Sequence, residues 1–213
     1  EMNEIKHLIG LDALIIFTSA GIYKSISSDK TFSASDLPET TIQCFYGASD
    51  VQPVVSGRMV LFGQNGGQIV RDLGYTYVSD SYDSSNLITF ARHLFANKTV
   101  VNQAFCDEPF HNLFCVMSDG TMNVLTYDKE QEVLGWGKYI TDGLFEDVCK
   151  IKDDNRDVAF FVVKRVINGV EKRYIEHEEK RENSGVIGTV FSDCSLKYDG
   201  VPTDTISGLE HLA

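Results

Sequence analysis

The sequence predicts an all-β fold, mainly antiparallel, made of β-propeller-like blades with one inserted short helix. Three observations lead to this prediction. Short apolar runs alternate with turn-forming residues along most of the chain, a pattern that is typical of hairpins. Four such units follow one another at nearly even intervals. Between the second and third units, the apolar residues change to the spacing of a helix.

Each of the four units begins with an apolar run of strand length and continues through a turn into a second strand. Asn-Gly, Asp-Gly and Gly-Gly supply the positive φ angles of tight turns at little steric cost, so these turns have a physical basis. The units are LIIF at residues 14–17 with a turn at Ser19, Ala20 and Gly21; VLF at 60–62 with a turn at Asn65, Gly66 and Gly67; LFCV at 113–116 with a turn at Asp119 and Gly120, followed by the further strand EVLGWGKYI; and AFFVV at 159–163 with a turn at Asn168 and Gly169.

The starts of these runs, at positions 14, 60, 113 and 159, are 46, 53 and 46 residues apart. Intervals of about 40 to 50 residues that hold three or four short strands are typical of propeller blades. An antiparallel sandwich with evenly spaced hairpins is the alternative. We expect one domain over residues 1–213, part of a longer chain because it ends abruptly on TISGLEHLA. Its repeat units are placed near residues 11–50, 51–84, 111–150 and 151–200.

Residues 85–95 form the one segment for which the pattern predicts a helix. Leu87, Ile88, Ala91 and Phe95 recur at helical spacing, behind a Ser or Asn cap. This spacing indicates an amphipathic helix of about three turns, inserted between two blades.

The composition excludes several classes of protein. Hydrophobic residues make up 43% of the 213, enough for a core, and no apolar run approaches the roughly 20 residues of a membrane-spanning helix. We expect a globular protein without a membrane span, and residues 1–9 lack the apolar stretch of a secretory signal. Nineteen basic against 31 acidic residues give a net charge of −12, which disfavours specific binding of nucleic acid. Five cysteines at irregular spacing indicate reduced, mostly buried thiols.

Cys106, His111 and Cys115 are residues of the types that bind zinc, and they lie within ten positions. Their spacing is not that of a zinc finger, and a fourth ligand is missing nearby. Buried thiols are therefore the expected role of the two cysteines.

Asp153, Asn155 and Asp157 alternate like the start of a calcium-binding loop. However, Val158 stands where the loop needs Gly, and Lys164 stands where it needs Glu. An exposed acidic turn is the expectation for this segment.

The sequence contains no G-x-S-x-G elbow, H-E-x-x-H pair, phosphate-binding loop or dinucleotide-binding fingerprint. Glu130 and Glu132 flank a turn, but catalytic carboxylates must converge in a cleft. His177 lies in the charged run IEHEEKRE, which is typical of a solvated strand edge. Trp136 is expected to pack between blades instead of forming a ligand platform. We expect no enzyme and assign no catalytic, cofactor-binding or metal residue.

Five segments, in chain order, resemble the tail nozzle proteins of short-tailed bacteriophages and related prophages, also described as tail tubular protein B-like. The resemblance covers most of the chain, from about residue 12 to residue 213. Its most specific segments are GASDVQP at residues 47–53, LTYDKEQEVLGW at 125–136 and RVINGVEKRYIE at 165–176. The matching positions are turn and core positions, so the resemblance transfers no functional residue.

The resemblance implies a structural virion protein: a ring of six copies beneath the tail adaptor protein, whose channel conducts DNA during ejection. Proteins of that family are built around β-propeller modules and are much longer, so the resemblance implies a fragment. The implied partners are further copies of the chain, the tail adaptor and DNA as a non-adhesive cargo. The implied location is the phage tail, after assembly in the bacterial cytoplasm. We expect the isolated chain to be a monomer, because contacts of such a ring can lie outside these residues.

The acidic balance has two interpretations. On a channel face it would repel phosphates and let DNA slide without adhering, whereas elsewhere it would keep a β-rich protein soluble and protect strand edges.

An alternative function also stays open. Propeller faces bind glycans or peptides, so the chain is alternatively a module that recognises a host-surface glycan or protein receptor. Clustered exposed aromatic side chains would favour this alternative.

Overall fold

The computed structural model describes residues 3–27, 37–153 and 155–179. Within these ranges the chain forms fifteen β-strands in four small antiparallel sheets, and one short α-helix. The predicted all-β, mainly antiparallel fold of blade-like units is confirmed. Residues 180–200 of the fourth predicted unit and the segment TISGLEHLA lie outside the described residues. Across the described ranges, no helix has the length and apolar character that crossing a membrane requires.

Each sheet is a meander in which consecutive strands pair side by side. Sheet 1 contains β1 (Ile5–Gly10), β2 (Leu14–Thr18), β3 (Ile22–Ile26) and β4 (Glu39–Cys44). Sheet 2 contains β5 (Val54–Ser56), β6 (Met59–Gly63), β7 (Val70–Thr76) and β8 (Ser81–Asn86). Helix α1 (Arg92–Phe95) follows. Sheet 3 contains β9 (Val100–Cys106), β10 (Asn112–Met117), β11 (Met122–Asp128) and β12 (Val133–Tyr139). Sheet 4, as far as it is described, contains β13 (Leu144–Asp153), β14 (Arg156–Ile167) and β15 (Val170–His177).

The apolar runs that marked the four units belong to the second strands, β2, β6, β10 and β14. Their side chains alternate between the two faces of the sheet. In β10, Leu113 and Cys115 point to one face, and Phe114 and Val116 point to the other. A neighbouring sheet lies against each face of β10, so both sets are buried and the strand reads as a continuous apolar run.

Three hydrophobic clusters of the described residues join the four sheets in chain order. Between sheets 1 and 2, the rings of Phe17 and Phe62 meet edge to face, with 5.2 Å between centroids. Between sheets 2 and 3, Leu61 lies within a second cluster. Between sheets 3 and 4, the rings of Phe114 and Phe161 meet at 5.5 Å. Each sheet therefore packs face to face on its neighbours in the chain, as propeller blades do.

First strands of neighbouring sheets lie close together at two junctions, since β9 lies against both β5 and β13, whereas sheets 1 and 2 meet at their last strands, β4 and β8. Convergence of first strands is how blades are arranged about an axis. Within the described residues, sheets 1 and 4 each share a hydrophobic cluster with one other sheet only, so the arrangement is an open arc.

The prediction of a three-turn helix over residues 85–95 was wrong in its extent. Ser81–Asn86 forms strand β8, and α1 covers only Arg92–Phe95. Leu87 and Phe95 are buried in the core between sheets 2 and 3, as the amphipathic pattern required, but only Phe95 belongs to the helix, and Leu87 lies in the turn after β8. At residues 85 and 86, the start of the predicted helix, the backbone hydrogen bonds are made by the pairing of β8 with β7. Tertiary structure therefore overrides the helical spacing at this point.

Two unit boundaries also differ from the prediction. Sheet 1 begins at Ile5 instead of near residue 11, and sheet 3 begins at Val100 instead of near residue 111. In both missed first strands two adjacent polar residues interrupt the apolar ones, Lys6 and His7 in β1 and Asn102 and Gln103 in β9, so no continuous apolar run marks them. Gly67, Gly120 and Gly169 have positive φ angles of 70°, 79° and 77°, which confirms the predicted turns.

Candidate functional site

The structure separates the three residues of the first candidate metal group. Cys106 points into the cluster between sheets 3 and 4, whereas Cys115 points to the opposite face of the same sheet. His111 lies partly exposed before β10, where its Nδ1 is 2.9 Å from Asp107 Oδ1. Burial raises the pKa of the Cys106 thiol to about 12, with a smaller contribution from the Asp157 charge, and burial also raises the pKa of Cys115. Thiols kept neutral by apolar surroundings are poor metal ligands, so both act as core groups.

The second candidate group does not converge either. Asp153 is exposed at the β13–β14 turn, while Asp157 turns back toward sheet 3 and its side chain is buried. Asp157 accepts hydrogen bonds from the backbone N–H of Asp107 at 2.8 Å and from Lys150 Nζ at 3.1 Å. Burial raises the pKa of Asp157, but these donors outweigh it and hold the pKa below its usual range. The expected exposed acidic turn is confirmed for Asp153 and wrong for Asp157, which joins sheets 3 and 4.

The remaining candidates are surface groups. Glu130 and Glu132 are both exposed in the β11–β12 turn. His177 is exposed at the end of β15, where its ring lies 5.6 Å from that of Phe160. In the part of the chain that the structure describes, no three His, Cys, Asp or Glu side chains come together as a metal site requires.

A buried polar group that the sequence analysis missed lies between sheets 2 and 3. Asp72 of β7 is only 1% exposed. It accepts hydrogen bonds from Tyr127 Oη at 2.8 Å, from Lys129 Nζ at 3.1 Å and from the backbone N–H of Ser85 at 2.8 Å. Burial, and then the Asp72 charge, raise the pKa of the Tyr127 phenol, which therefore stays a donor. The one signal in the sequence was an acidic residue inside the apolar strand VRDLGYT.

Further polar side chains cross the junctions between sheets in the same way. Each bonds a group of the adjacent sheet or of a connection beside it. These contacts are Tyr82 Oη to Asp12, Asn65 Nδ2 to Ser19 O at 2.9 Å, Gln103 Nε2 to Leu61 O at 3.2 Å, and Asn102 Nδ2 to Val148 O at 3.1 Å.

Many basic side chains of the described ranges are paired with carboxylates. Eight lysine and arginine side chains have a nitrogen within 4.0 Å of an Asp or Glu oxygen: Lys6, Lys98, Lys129, Lys150, Lys152, Lys164, Arg165 and Arg173. In addition, the guanidinium of Arg71 lies 3.4 Å from the centre of the Tyr46 ring. These cations are already engaged within the protein.

A groove of about 300 Å³ lies between the segment around α1 and the edge strand β12. Trp136 lines it, donates from Nε1 to Leu87 O at 2.8 Å, and meets the Phe95 ring edge to face at 4.8 Å. The expectation that Trp136 packs between blades is therefore confirmed. Phe90, which is 93% exposed, and Leu134 also line the groove and leave apolar surface open to solvent.

Comparison with known proteins assigns no family. No protein-family model matches the chain, and no curated protein matches it. The function is therefore inferred from the residues of the chain and their geometry.

Proposed function

We propose that the chain is a structural component of a phage tail and forms part of the nozzle through which DNA is ejected. Its partners are further copies of itself in a ring, the tail adaptor protein and DNA as a non-adhesive cargo. Its location is the virion. The proposal starts from the resemblance of residues 47–53, 125–136 and 165–176 to tail nozzle proteins. The succession of blade-like sheets is compatible with the propeller modules that this resemblance implies.

One observation carries the proposal: buried polar side chains join the sheets to one another. Across the junction between sheets 2 and 3, Asp72 accepts from Tyr127 and Lys129, and across the junction between sheets 3 and 4, Asp157 accepts from the backbone N–H of Asp107. An active site would instead direct such groups into a cleft, where they can meet a substrate. Polar groups that are satisfied inside the protein make it rigid, which suits the wall of a tube.

The charges support a wall to which DNA does not adhere. Proteins bind duplex DNA mainly through Lys and Arg side chains that neutralise phosphates and release counterions. Eight such side chains are already paired with carboxylates, and the chain has a net charge of −12. The paired side chains are less available to a phosphate backbone, and the excess of carboxylates repels it.

The direct test is localisation in the virion. Antibodies raised against the chain are used for immunogold labelling of purified particles of the phage that encodes it. Labelling in the presence of excess free chain is the control. We expect gold on the tail and none on the capsid. Label on the capsid, or purified particles that lack the protein by mass spectrometry, would contradict the proposal.

A second test addresses DNA adhesion. The wild-type chain is expected to leave the fluorescence anisotropy of a short labelled DNA duplex unchanged, even at low salt. The double variant Glu130→Lys with Glu132→Lys makes the exposed β11–β12 turn basic and is the positive control. It should raise the anisotropy at low salt and lose this effect at high salt. Binding by the wild-type chain would overturn the non-adhesive part of the proposal.

Receptor recognition is the alternative function, and the groove beside Trp136 favours it. The groove combines the exposed ring of Phe90 with apolar walls, and such surfaces bind small ligands or side chains. The test is adsorption of labelled chain to intact host cells, with Phe90→Ser as the variant. Tyr77→Ser is the control, since Tyr77 is similarly exposed but does not line the groove. Adsorption that only Phe90→Ser abolishes would establish the alternative, and no adsorption of the wild-type chain would exclude it.

A further inference from the structure

Arg71 of sheet 2 is a buried cation that has no carboxylate partner among the described residues. It is the second residue of β7 and only 8% exposed. The strand register places it opposite Phe62 of β6 and Asn86 of β8. This row faces sheet 1, because Phe62 belongs to the cluster between sheets 1 and 2. A buried charge is costly unless an opposite charge compensates it.

Two side chains fix the position of the Arg71 guanidinium. Its Nε donates to Gln64 Oε1 at 2.7 Å, and its central carbon lies 3.4 Å from the centre of the Tyr46 ring. Stacking on a ring covers a face of the guanidinium but leaves its edge, which carries the N–H donors, open. The described residues supply no acceptor for Nη1 or Nη2, and both nitrogens reach the protein surface.

The acidic residues closest in sequence or on the adjacent strand are engaged elsewhere. Asp72 follows Arg71 directly but faces sheet 3, where it accepts from Tyr127 and Lys129. Asp83 of β8 accepts from Ser79 Oγ at 3.0 Å. In the ranges that the structure describes, no Asp or Glu forms an ion pair with Arg71. Water can hydrate the Nη donors, but it leaves the positive charge uncompensated.

The amide of Gln64 adds a further donor beside this guanidinium. Arg71 Nε can only donate, so the amide atom that it contacts is the oxygen, and the amide nitrogen is held close by. That nitrogen has no acceptor among the described residues. The Asn86 side-chain oxygen is occupied by the Ile88 N–H at 2.9 Å. Donors therefore converge at this point, and an acceptor of negative charge is what they lack.

We propose that Arg71 and Gln64 form a binding site for a carboxylate. Arg71 Nη1 and Nη2 bind its two oxygens side by side, as in bidentate arginine–carboxylate pairs. A carboxylate is planar and singly charged, so it fits the fork and is repelled less than a phosphate dianion by a chain of net charge −12. Its source is a free small acid or an acidic side chain of another protein. The site does not depend on the tail function proposed above, so either can fail without the other.

The first experiment is an NMR titration of the ¹⁵N-labelled chain, in which sodium acetate replaces sodium chloride at constant ionic strength. The Arg71 Nε–H resonance is assigned by its loss in Arg71→Lys. In the wild type it should shift and saturate, with a dissociation constant of about 1 to 10 mM. Arg58 is the internal control, because it is exposed between β5 and β6 and has no partner in the described part of the chain. Its resonance should not saturate.

A variant that supplies the carboxylate from within the chain tests the site independently. Gln64→Glu places a negative charge against the guanidinium. It should raise the unfolding temperature in chloride, measured by circular dichroism, and weaken acetate binding about tenfold or more. The matched control is Gln68→Glu, which adds the same charge at an exposed position of the same β6–β7 turn. This control should bind acetate as the wild type does.

A second probe distinguishes the two sources of the carboxylate. The blocked tripeptide acetyl-Gly-Asp-Gly-amide carries a single side-chain carboxylate and no terminal charge. Saturation of the Arg71 resonance by both acetate and the tripeptide supports an acidic side chain of a partner protein. Saturation by acetate alone supports a free small acid, because the site then excludes a peptide backbone.

Three results would overturn the proposal. One is an Arg71 resonance that moves no more than that of Arg58 up to about 100 mM acetate, far above the expected dissociation constant. Another is tighter binding of inorganic phosphate than of acetate at equal ionic strength, which contradicts the ligand class. The third is equal acetate binding by Gln64→Glu and Gln68→Glu, since acetate would then bind away from the guanidinium.

Discussion

Asp72 receives hydrogen bonds from Ser85 within its own sheet and from Tyr127 and Lys129 of sheet 3. A carboxylate removed from water is costly unless donors surround it, and here three donors do. The contact across the junction therefore depends on this one side chain. Lys129 is about half exposed and can return to water, whereas the Tyr127 hydroxyl is buried and cannot.

Replacing Asp72 should destabilise the fold. We expect Asp72→Ala to lower the free energy of unfolding by about 2 to 3 kcal/mol, since it leaves the buried Tyr127 hydroxyl and the Ser85 N–H without their acceptor. Urea denaturation followed by circular dichroism measures the change. Asp153→Ala removes an exposed carboxylate at a turn and should cost little. Equal effects of the two substitutions would show that the Asp72 contacts contribute nothing.

Asp119 makes a pH-dependent contribution to the stability of the fold. Partial burial raises its pKa, but hydrogen bonds from Lys98 and Thr121 outweigh burial and lower the pKa to about 2. A carboxyl group whose pKa is lowered on folding stabilises the protein above its unfolded-state pKa near 4. This stabilisation is lost as the pH falls from about 4 to about 2.

The variant Asp119→Asn should therefore be less stable than the wild type at pH 6, and the difference should shrink between about pH 4 and pH 2. The measurement is the urea midpoint of both proteins across this range. Asp153→Asn, with no such donors, should follow the wild-type curve. A difference between wild type and Asp119→Asn that stays constant down to pH 2 would refute the assigned contacts.

The connection between sheets 1 and 2 passes closely over the β2–β3 turn at Gly47. A Cβ at this position would overlap the backbone carbonyl of Ser19, which is part of that turn. Hydrogen bonds fix both segments, because Ala48 N–H donates to Thr18 O at 2.8 Å and Asn65 N–H to Gly47 O at 2.7 Å. The two backbones therefore cannot separate freely to admit a side chain.

We expect Gly47→Ala to lower the free energy of unfolding by about 3 kcal/mol, because it overpacks this contact between two elements. Gly135→Ala is the matched control, since nothing lies within 4 Å of a Cβ added on edge strand β12. Thermal unfolding followed by circular dichroism compares the two variants. A Gly47→Ala chain as stable as Gly135→Ala would mean that the connection lies elsewhere.

The second strands could be predicted from the sequence because they are apolar on both faces, as the runs at Leu14, Val60, Leu113 and Ala159 show. The fourth strand β8, with the sequence SYDSSN, carries too many polar residues to be recognised, whereas the fourth strand β12 was predicted from EVLGWGKYI. The length of the helix was overestimated because Leu87 and Phe95 follow a helical period by chance. Their positions are set by packing between sheets 2 and 3. The polar groups that join the sheets were not predictable, since Asp72 and Tyr127 are 55 positions apart in the chain.

The four sheets form a row in which each described sheet packs on its neighbours in the chain. Stability in such an arrangement is approximately a sum of local terms, so it differs along the row. Sheets 2 and 3 are covered on both faces, whereas sheets 1 and 4 each have one open face within the described residues.

Hydrogen exchange measured by mass spectrometry should reveal this gradient in a dilute solution of the chain. We expect amides of β6, β7, β10 and β11 to exchange most slowly, and those of β2 and β14 to exchange faster despite similar strand sequences. The comparison of β14 with β10 is internally matched, since both are apolar second strands. Uniform protection over all four sheets would instead indicate a single cooperative unit.

Trp136, the only tryptophan in the chain, lies where β12 of sheet 3 meets the segment that follows sheet 2. Its indole is bonded to Leu87 and packed on Phe95, so its emission colour and quenching depend on whether that contact is intact. The molecule thus contains a built-in optical reporter for one particular junction. Separation of β12 from the segment that follows sheet 2 can be followed by intrinsic fluorescence in real time, without attaching a dye.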